Sequence, residues 1–172
     1  MSGRILVAGI GNIFLGDDGF GCEVVRRLAE RELPEEVEVR DFGIRGMDLA
    51  YTLMEPYEAV VFVDAVPRGE EPGTVYLIEA DVPDEGEVAL DTHGMDPVSV
   101  IRLARVLGAK IPRTLVVGCE PKVILSGEEY DDMLMELSEP VQRAVDEALK
   151  LVESVVEEVN SQTTNKHLKP DA

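Results

Sequence analysis

The run Ile5-Leu6-Val7-Ala8 empties directly into Gly9-Ile10-Gly11-Asn12-Ile13-Phe14-Leu15-Gly16-Asp17-Asp18-Gly19-Phe20-Gly21. An apolar strand followed by glycines ordinarily announces a phosphate cradle, because the backbone N–H groups at a following helix N-terminus favour an anion. Here two adjacent carboxylates occupy that turn. Together they repel phosphate and attract a hard divalent cation, so the turn reads as a cation site. Their competing reading is structural: an N-cap and a first-turn acid that stabilise the next helix through its dipole. The two acids can also divide these roles between them.

Outward from this stretch, strand and helix patterns alternate. Val24, Val25 and Leu28 predict a helix over Gly21 to Arg31. A second strand spans Val37 to Phe42 and leads through Gly43-Ile44-Arg45-Gly46 into a helix over Met47 to Met54. Ala59 to Val63 reads as a strand buried on both faces, with Asp64 at its carboxyl end. After the turn at Pro67 to Pro72, Thr74 to Ile78 alternates as a strand, and an irregular segment runs to Leu90. His93 follows in a short loop. Asp96-Pro97 has the form of an N-cap followed by proline at the first helical position, opening a helix that stops near Gly108. Thr114 to Gly118 is a fifth strand. Ser138-Glu139-Pro140 opens a last helix to Val159, and Asn160 to Ala172 reads as a polar, disordered tail. The predicted architecture is one α/β domain over residues 1–159. It is a three-layer α/β/α sandwich around a mostly parallel sheet of about five strands. In such sheets ligands bind beyond the carboxyl ends of the strands, where Asp17, Asp18, Asp41 and Asp64 all fall.

Composition narrows the partners. The chain has 172 residues, 45% apolar, with a formal net charge of -19. That charge argues against binding nucleic acid or an anionic membrane, both of which rest on clustered Lys and Arg. No apolar run approaches the roughly 20 residues of a membrane span, and no secretory leader precedes Ile5, so a cytoplasmic protein is expected. Cys22 and Cys119 are expected as reduced, packed thiols. Cys22 sits in the first turns of a helix, where the dipole can lower a thiol pKa, so a cysteine nucleophile is a competing idea. The serine, zincin and aspartic hydrolase signatures are missing from the sequence.

Two carboxylates and an imidazole make an N/O donor set for nickel, zinc, manganese or iron with positions left open. His93 is one of two histidines, the other being His167 in the polar tail. Asp91 is its candidate orienting partner.

These segments, in kind and order, resemble the [NiFe]-hydrogenase maturation proteases. The resemblance is carried by Gly9-Ile10-Gly11-Asn12 with Asp17-Asp18-Gly19, Asp41-Phe42-Gly43-Ile44-Arg45-Gly46, Val63-Asp64-Ala65, Pro72-Gly73-Thr74 and Thr92-His93-Gly94-Met95, and it spans residues 4 to 155. It implies an endopeptidase that removes the C-terminal extension of a hydrogenase large-subunit precursor after nickel insertion. The nickel is supplied by the substrate, although other divalent metals can occupy such a site. It also implies metal contacts from Asp18, Asp64 and His93, with Asp18 or Asp64 as general base. Asp18 is glutamate in many relatives, so the side chain here is one methylene shorter. The loop carrying Asp41, Gly43, Arg45 and Gly46 departs from the family's usual Asp-Gly-Gly-Thr and is expected to border the cleft and select the substrate. A monomer is expected, because a large precursor needs an open cleft. Two alternatives use the same residues. One is a nickel-checking assembly chaperone of the same precursor without peptidase activity. The other is a metal-dependent phosphohydrolase, for which Arg45 is the one obvious phosphate-binding candidate.

Overall fold

A computed structural model describes residues 3–80, 96–123 and 136–168. Five strands form one sheet: β1 (Arg4–Ile10), β2 (Val37–Gly43), β3 (Tyr57–Ala65), β4 (Val75–Ala80) and β5 (Arg113–Cys119), in the order β2-β1-β3-β5-β4. The helices are α1 (Phe20–Leu28), α2 (Gly46–Thr52), α3 (Pro97–Val106) and α4 (Glu139–Leu168). Strands β2, β1, β3 and β5 run parallel, while β4 lies antiparallel on the β5 edge. The connection from Ala65 to Val75 holds no helix. Since a parallel return needs a crossover of a dozen or more residues, β4 comes back in the opposite direction.

The central strands alternate their side chains between two apolar layers, as the period of two requires. Ile5, Val7, Val61 and Val63 pack with Val24 and Leu28 of α1 and with Val145, Leu149 and Val152 of α4. Leu6, Ala8, Val60 and Phe62 pack on the other face with Leu49 of α2 and Val100, Ile101 and Ala104 of α3. The three layers expected from the alternation are therefore present, with α1 and α4 covering one face and α2 and α3 the other. Asp96 caps α3 as its sequence predicts, accepting the Ser99 N–H at 2.8 Å, with Pro97 next to it in the first turn.

Two helix ends differ from the sequence reading by more than two residues. Helix α1 ends at Leu28, short of the predicted Arg31, where Arg31 N closes a turn onto Leu28 O. At the other end α4 continues past Val159 to Leu168, so most of the predicted disordered tail is helical. Thr163 explains part of this continuation. It is buried, and its Oγ1 donates to Val159 O at 3.0 Å, so a polar residue is accommodated inside the helix–sheet contact.

Strand β1 lies between β2 and β3, and the connections that follow β1 and β2, carrying α1 and α2, cover opposite faces of the sheet. The crevice beyond the carboxyl ends of β1 and β3 is the switch point at which α/β sheets place their ligands.

Candidate active site

The β1–α1 turn is built by backbone proximity that side chains would forbid. Gly11 has φ +131°, and a Cβ there would stand 1.9 Å from Asp18 O. Gly21, in the first turn of α1, touches both strand ends: a Cβ would meet Val63 O at 2.0 Å and Ile10 O at 2.6 Å. Glycine at these two places lets the start of α1 descend into the β1–β3 crevice. The helix begins from Gly19 without a side-chain cap, so neither acid of the pair serves as the N-cap.

Asp17 and Asp18 point to different tasks. Asp17 is fully buried, and its carboxylate accepts Lys122 N at 2.8 Å, Val123 N at 2.9 Å, Ser138 N at 2.6 Å and Ser138 Oγ at 2.8 Å. It is a structural clasp between the β1–α1 turn, the chain after β5 and the start of α4. Asp18 is half-buried and accepts one backbone donor, Asn12 N at 2.7 Å. Burial pushes its pKa up against that hydrogen bond.

Asp64, near the end of β3, is buried. Its pKa stands well above the ordinary carboxylate range, first because burial disfavours the charged form and then because Asp18 lies within electrostatic reach. The Ala65 N–H opposes this, and the Asp96 charge adds to it. Asp18 and Asp64 thus face the same crevice with their charges only partly compensated. Two such carboxylates are stabilised by a bound cation, which relieves both the repulsion and the burial penalty, and their oxygen chemistry suits a divalent ion. The expected third ligand, His93, and its candidate partner Asp91 lie outside the described residues. Among the described residues no three His, Cys, Asp or Glu side chains converge closely enough to hold a metal.

The β2–α2 turn forms the neighbouring wall. Asp41 Oδ1 accepts Gly43 N at 2.9 Å, and Gly43 adopts φ 54° so that its carbonyl can accept Gly11 N at 3.0 Å. The two turns are thereby tied to each other. Arg45 folds back on its own turn, its Nη2 donating to Asp41 O at 2.7 Å and its Nε to Phe42 O at 3.3 Å. Its Nη1 lies 3.7 Å from Asp48 Oδ2, so Arg45 already faces three acceptors of its own and is less available to a phosphate. Gly46 is buried as the first residue of α2.

The cysteine alternative meets the opposite of activation. Burial, and then the neighbouring carboxylates of Asp41, Asp18 and Asp64, push the Cys22 thiol up, and its Sγ donates to Gly11 O at 3.5 Å. Cys119 is pushed up to about 12, chiefly by burial. Neither forms a thiolate near neutral pH, so neither fits a nucleophile.

Two features had no counterpart in the sequence reading. One is the Asp17 clasp. The other is Glu120, a buried carboxylate that accepts Arg68 N at 2.7 Å, Gly69 N at 3.1 Å and Tyr76 OH at 2.9 Å and so orders the turn between β3 and β4. Both act between residues far apart in the chain, so local spacing carries no sign of them.

A family model described as "Hydrogenase maturation protease" (HycI) matches residues 22–155. The chain belongs to the hydrogenase maturation protease family. It is a hydrolase of the peptidase kind. Among its relatives, a putative hydrogenase maturation protease of Methanocaldococcus jannaschii is 36% identical over 152 residues, covering 86% of this chain and 93% of that one. The coenzyme F420 hydrogenase subunit delta of Methanothermobacter thermautotrophicus is 35% identical over 154 residues, covering 87% and 92%. Among solved structures, the hydrogenase maturating endopeptidase HybD from E. coli superposes with a TM-score of 0.70 at 29% identity, covering 90% of this chain and 93% of that one. The family's fold agrees with the mostly parallel five-stranded sheet found here. Among the described residues no helix is long and apolar enough to cross a membrane.

Proposed function

We propose that this protease removes the C-terminal extension of a [NiFe]-hydrogenase large-subunit precursor, and that it acts once nickel has been inserted into that precursor. The observation that carries the reading is the Asp18–Asp64 pair. These are two incompletely compensated carboxylates, one in the turn between β1 and α1 and one near the end of β3, at the crevice where this fold presents its ligands.

In this reading nickel arrives as part of the substrate, and Asp18, Asp64 and His93 complete its coordination, an N/O set suited to that ion. The ion supplies an anchor that only a loaded precursor possesses. The remaining work falls to the chain's own groups. Asp18, held by Asn12 N–H, and Asp64, fixed at the end of β3, orient the precursor tail across the crevice. One of these two carboxylates takes the proton of the attacking water. The β2–α2 loop with Asp41, Gly43, Arg45 and Gly46 borders the same crevice and contributes to substrate choice. The protein works in the cytoplasm as a monomer.

The test is intact mass spectrometry of the large-subunit precursor after incubation with the purified protease, with and without nickel loading. Loss of a C-terminal peptide from the loaded precursor alone is the expected result, and His93→Ala abolishes it. Complex formation with unchanged precursor mass would identify a nickel-checking chaperone instead, and equal cleavage of loaded and unloaded precursor would remove nickel from the mechanism.

A further inference from the structure

Between the turns that follow β1 and β2 runs a groove of about 300 Å³ with mostly apolar walls. Ile13 and Phe14 stand on one bank and Ile44 on the other, exposed by 46%, 42% and 60%, with Phe42 buried in the floor. Large apolar side chains grouped on a surface mark a place where something docks. Local bonds hold them there. Phe14 N donates to Asn12 Oδ1 at 2.9 Å, and the Gly11–Gly43 hydrogen bond fixes the spacing of the two banks.

Position and charge identify the occupant. Asn12 lines the groove and is held by the Asp18 carboxylate, so the groove opens directly beside the Asp18–Asp64 crevice. Its volume is at the small end of the about 300–1,000 Å³ of ligand sites, which suits side chains of a peptide segment. Asp41 lines the groove and is exposed, so its carboxylate can accept from a donor there, while the exposed Arg45 beside it turns its Nη2 and Nε onto the carbonyls of Asp41 and Phe42.

We propose that this groove seats an apolar side chain of the precursor's C-terminal segment beside the point of cleavage, with a donor group of the same segment on the Asp41 carboxylate. The proposal rests on the reading of the protein as the endopeptidase of that precursor. Ile13, Phe14 and Ile44 are then specificity-determining residues that hold the tail in register while the chemistry proceeds at Asp18 and Asp64.

Steady-state processing of the nickel-loaded precursor by wild type, Phe14→Ala, Ile44→Ser and the double variant tests this. Each single substitution is expected to raise KM roughly tenfold with kcat little changed, as for a lost apolar subsite contact. The thermal midpoint is expected to stay put, because the side chains removed are exposed. A double variant whose kcat/KM matches wild type overturns the groove and leaves the endopeptidase reading intact. If wild type does not cleave, the endopeptidase reading fails, and precursor binding to immobilised wild type and double variant still decides the groove: equal affinity overturns it. Sedimentation velocity covers the remaining occupant. A wild-type dimer abolished in a double variant of unchanged kcat/KM would make the groove a self-interface and overturn the proposal.

Discussion

Replacing Asp17 by alanine removes one buried side chain and leaves three part-buried backbone N–H groups, those of Lys122, Val123 and Ser138, and the Ser138 hydroxyl without their acceptor. Each buried donor left unsatisfied costs about 1–3 kcal/mol. Water entering the vacated space recovers part of this, so the net loss is expected near 3–5 kcal/mol, the range for breaking a buried charged network. For a chain of this size that corresponds to a fall in thermal midpoint of about 6–20 °C. Asp17→Asn separates shape from charge. Its amide oxygen can satisfy Lys122 and Val123 together, but its NH2 then faces Ser138 N, so an intermediate loss is expected. Calorimetry gives the midpoints, and amide hydrogen exchange reads Lys122, Val123 and Ser138 individually; all three are expected to lose protection in Asp17→Ala. The neighbouring Asp18→Asn is the control, expected to keep the fold and lose processing. A midpoint for Asp17→Ala indistinguishable from wild type, with protection retained at the three amides, would refute the clasp.

Asp64→Asn is expected to stabilise the metal-free protein while abolishing processing. The folded-state pKa of Asp64 is raised, so the wild type holds its full stability below the unfolded value near 3.8 and loses it progressively as the pH climbs through the folded value. The gain from Asn should therefore be present at pH 7 and vanish toward pH 3.8, and thermal melts across that window would refute it by showing a constant or inverted difference. Gly21→Ala is expected to destabilise by about 1–3 kcal/mol and to depress processing, since its Cβ would press into Val63 O, a backbone atom at the end of β3. A urea melt of unchanged midpoint would contradict the close approach.

The fold was legible where periodicity is strong. Apolar runs such as Val60-Val61-Phe62-Val63 belong to a strand covered on both faces, and Asp96-Pro97 states its helix start in two residues. The direction of β4 was less legible, because it follows from the length of a connection and from which neighbour was left open at the sheet edge. The end of α4 was misread because polar residues after Val159 look like solvent-facing tail, whereas Thr163 satisfies its own hydroxyl within the helix and can be buried there. In the site, the Asp17-Asp18 pair and Asp64 could be located from strand ends alone. Which member of the pair is structural could not, since its partners Lys122, Val123 and Ser138 lie more than a hundred positions away.

An exposed apolar groove on a protein that carries so much like charge also bears on its handling. At neutral pH a net charge of -19 holds copies apart, so the groove can stay open in solution without joining them. That protection is colloidal and conditional. Near the isoelectric point of about 4.3, or in concentrated salt, the repulsion fades while the apolar banks keep their attraction, so acid precipitation would recruit the same surface. Purification and storage well above that pH keep the groove available for assay.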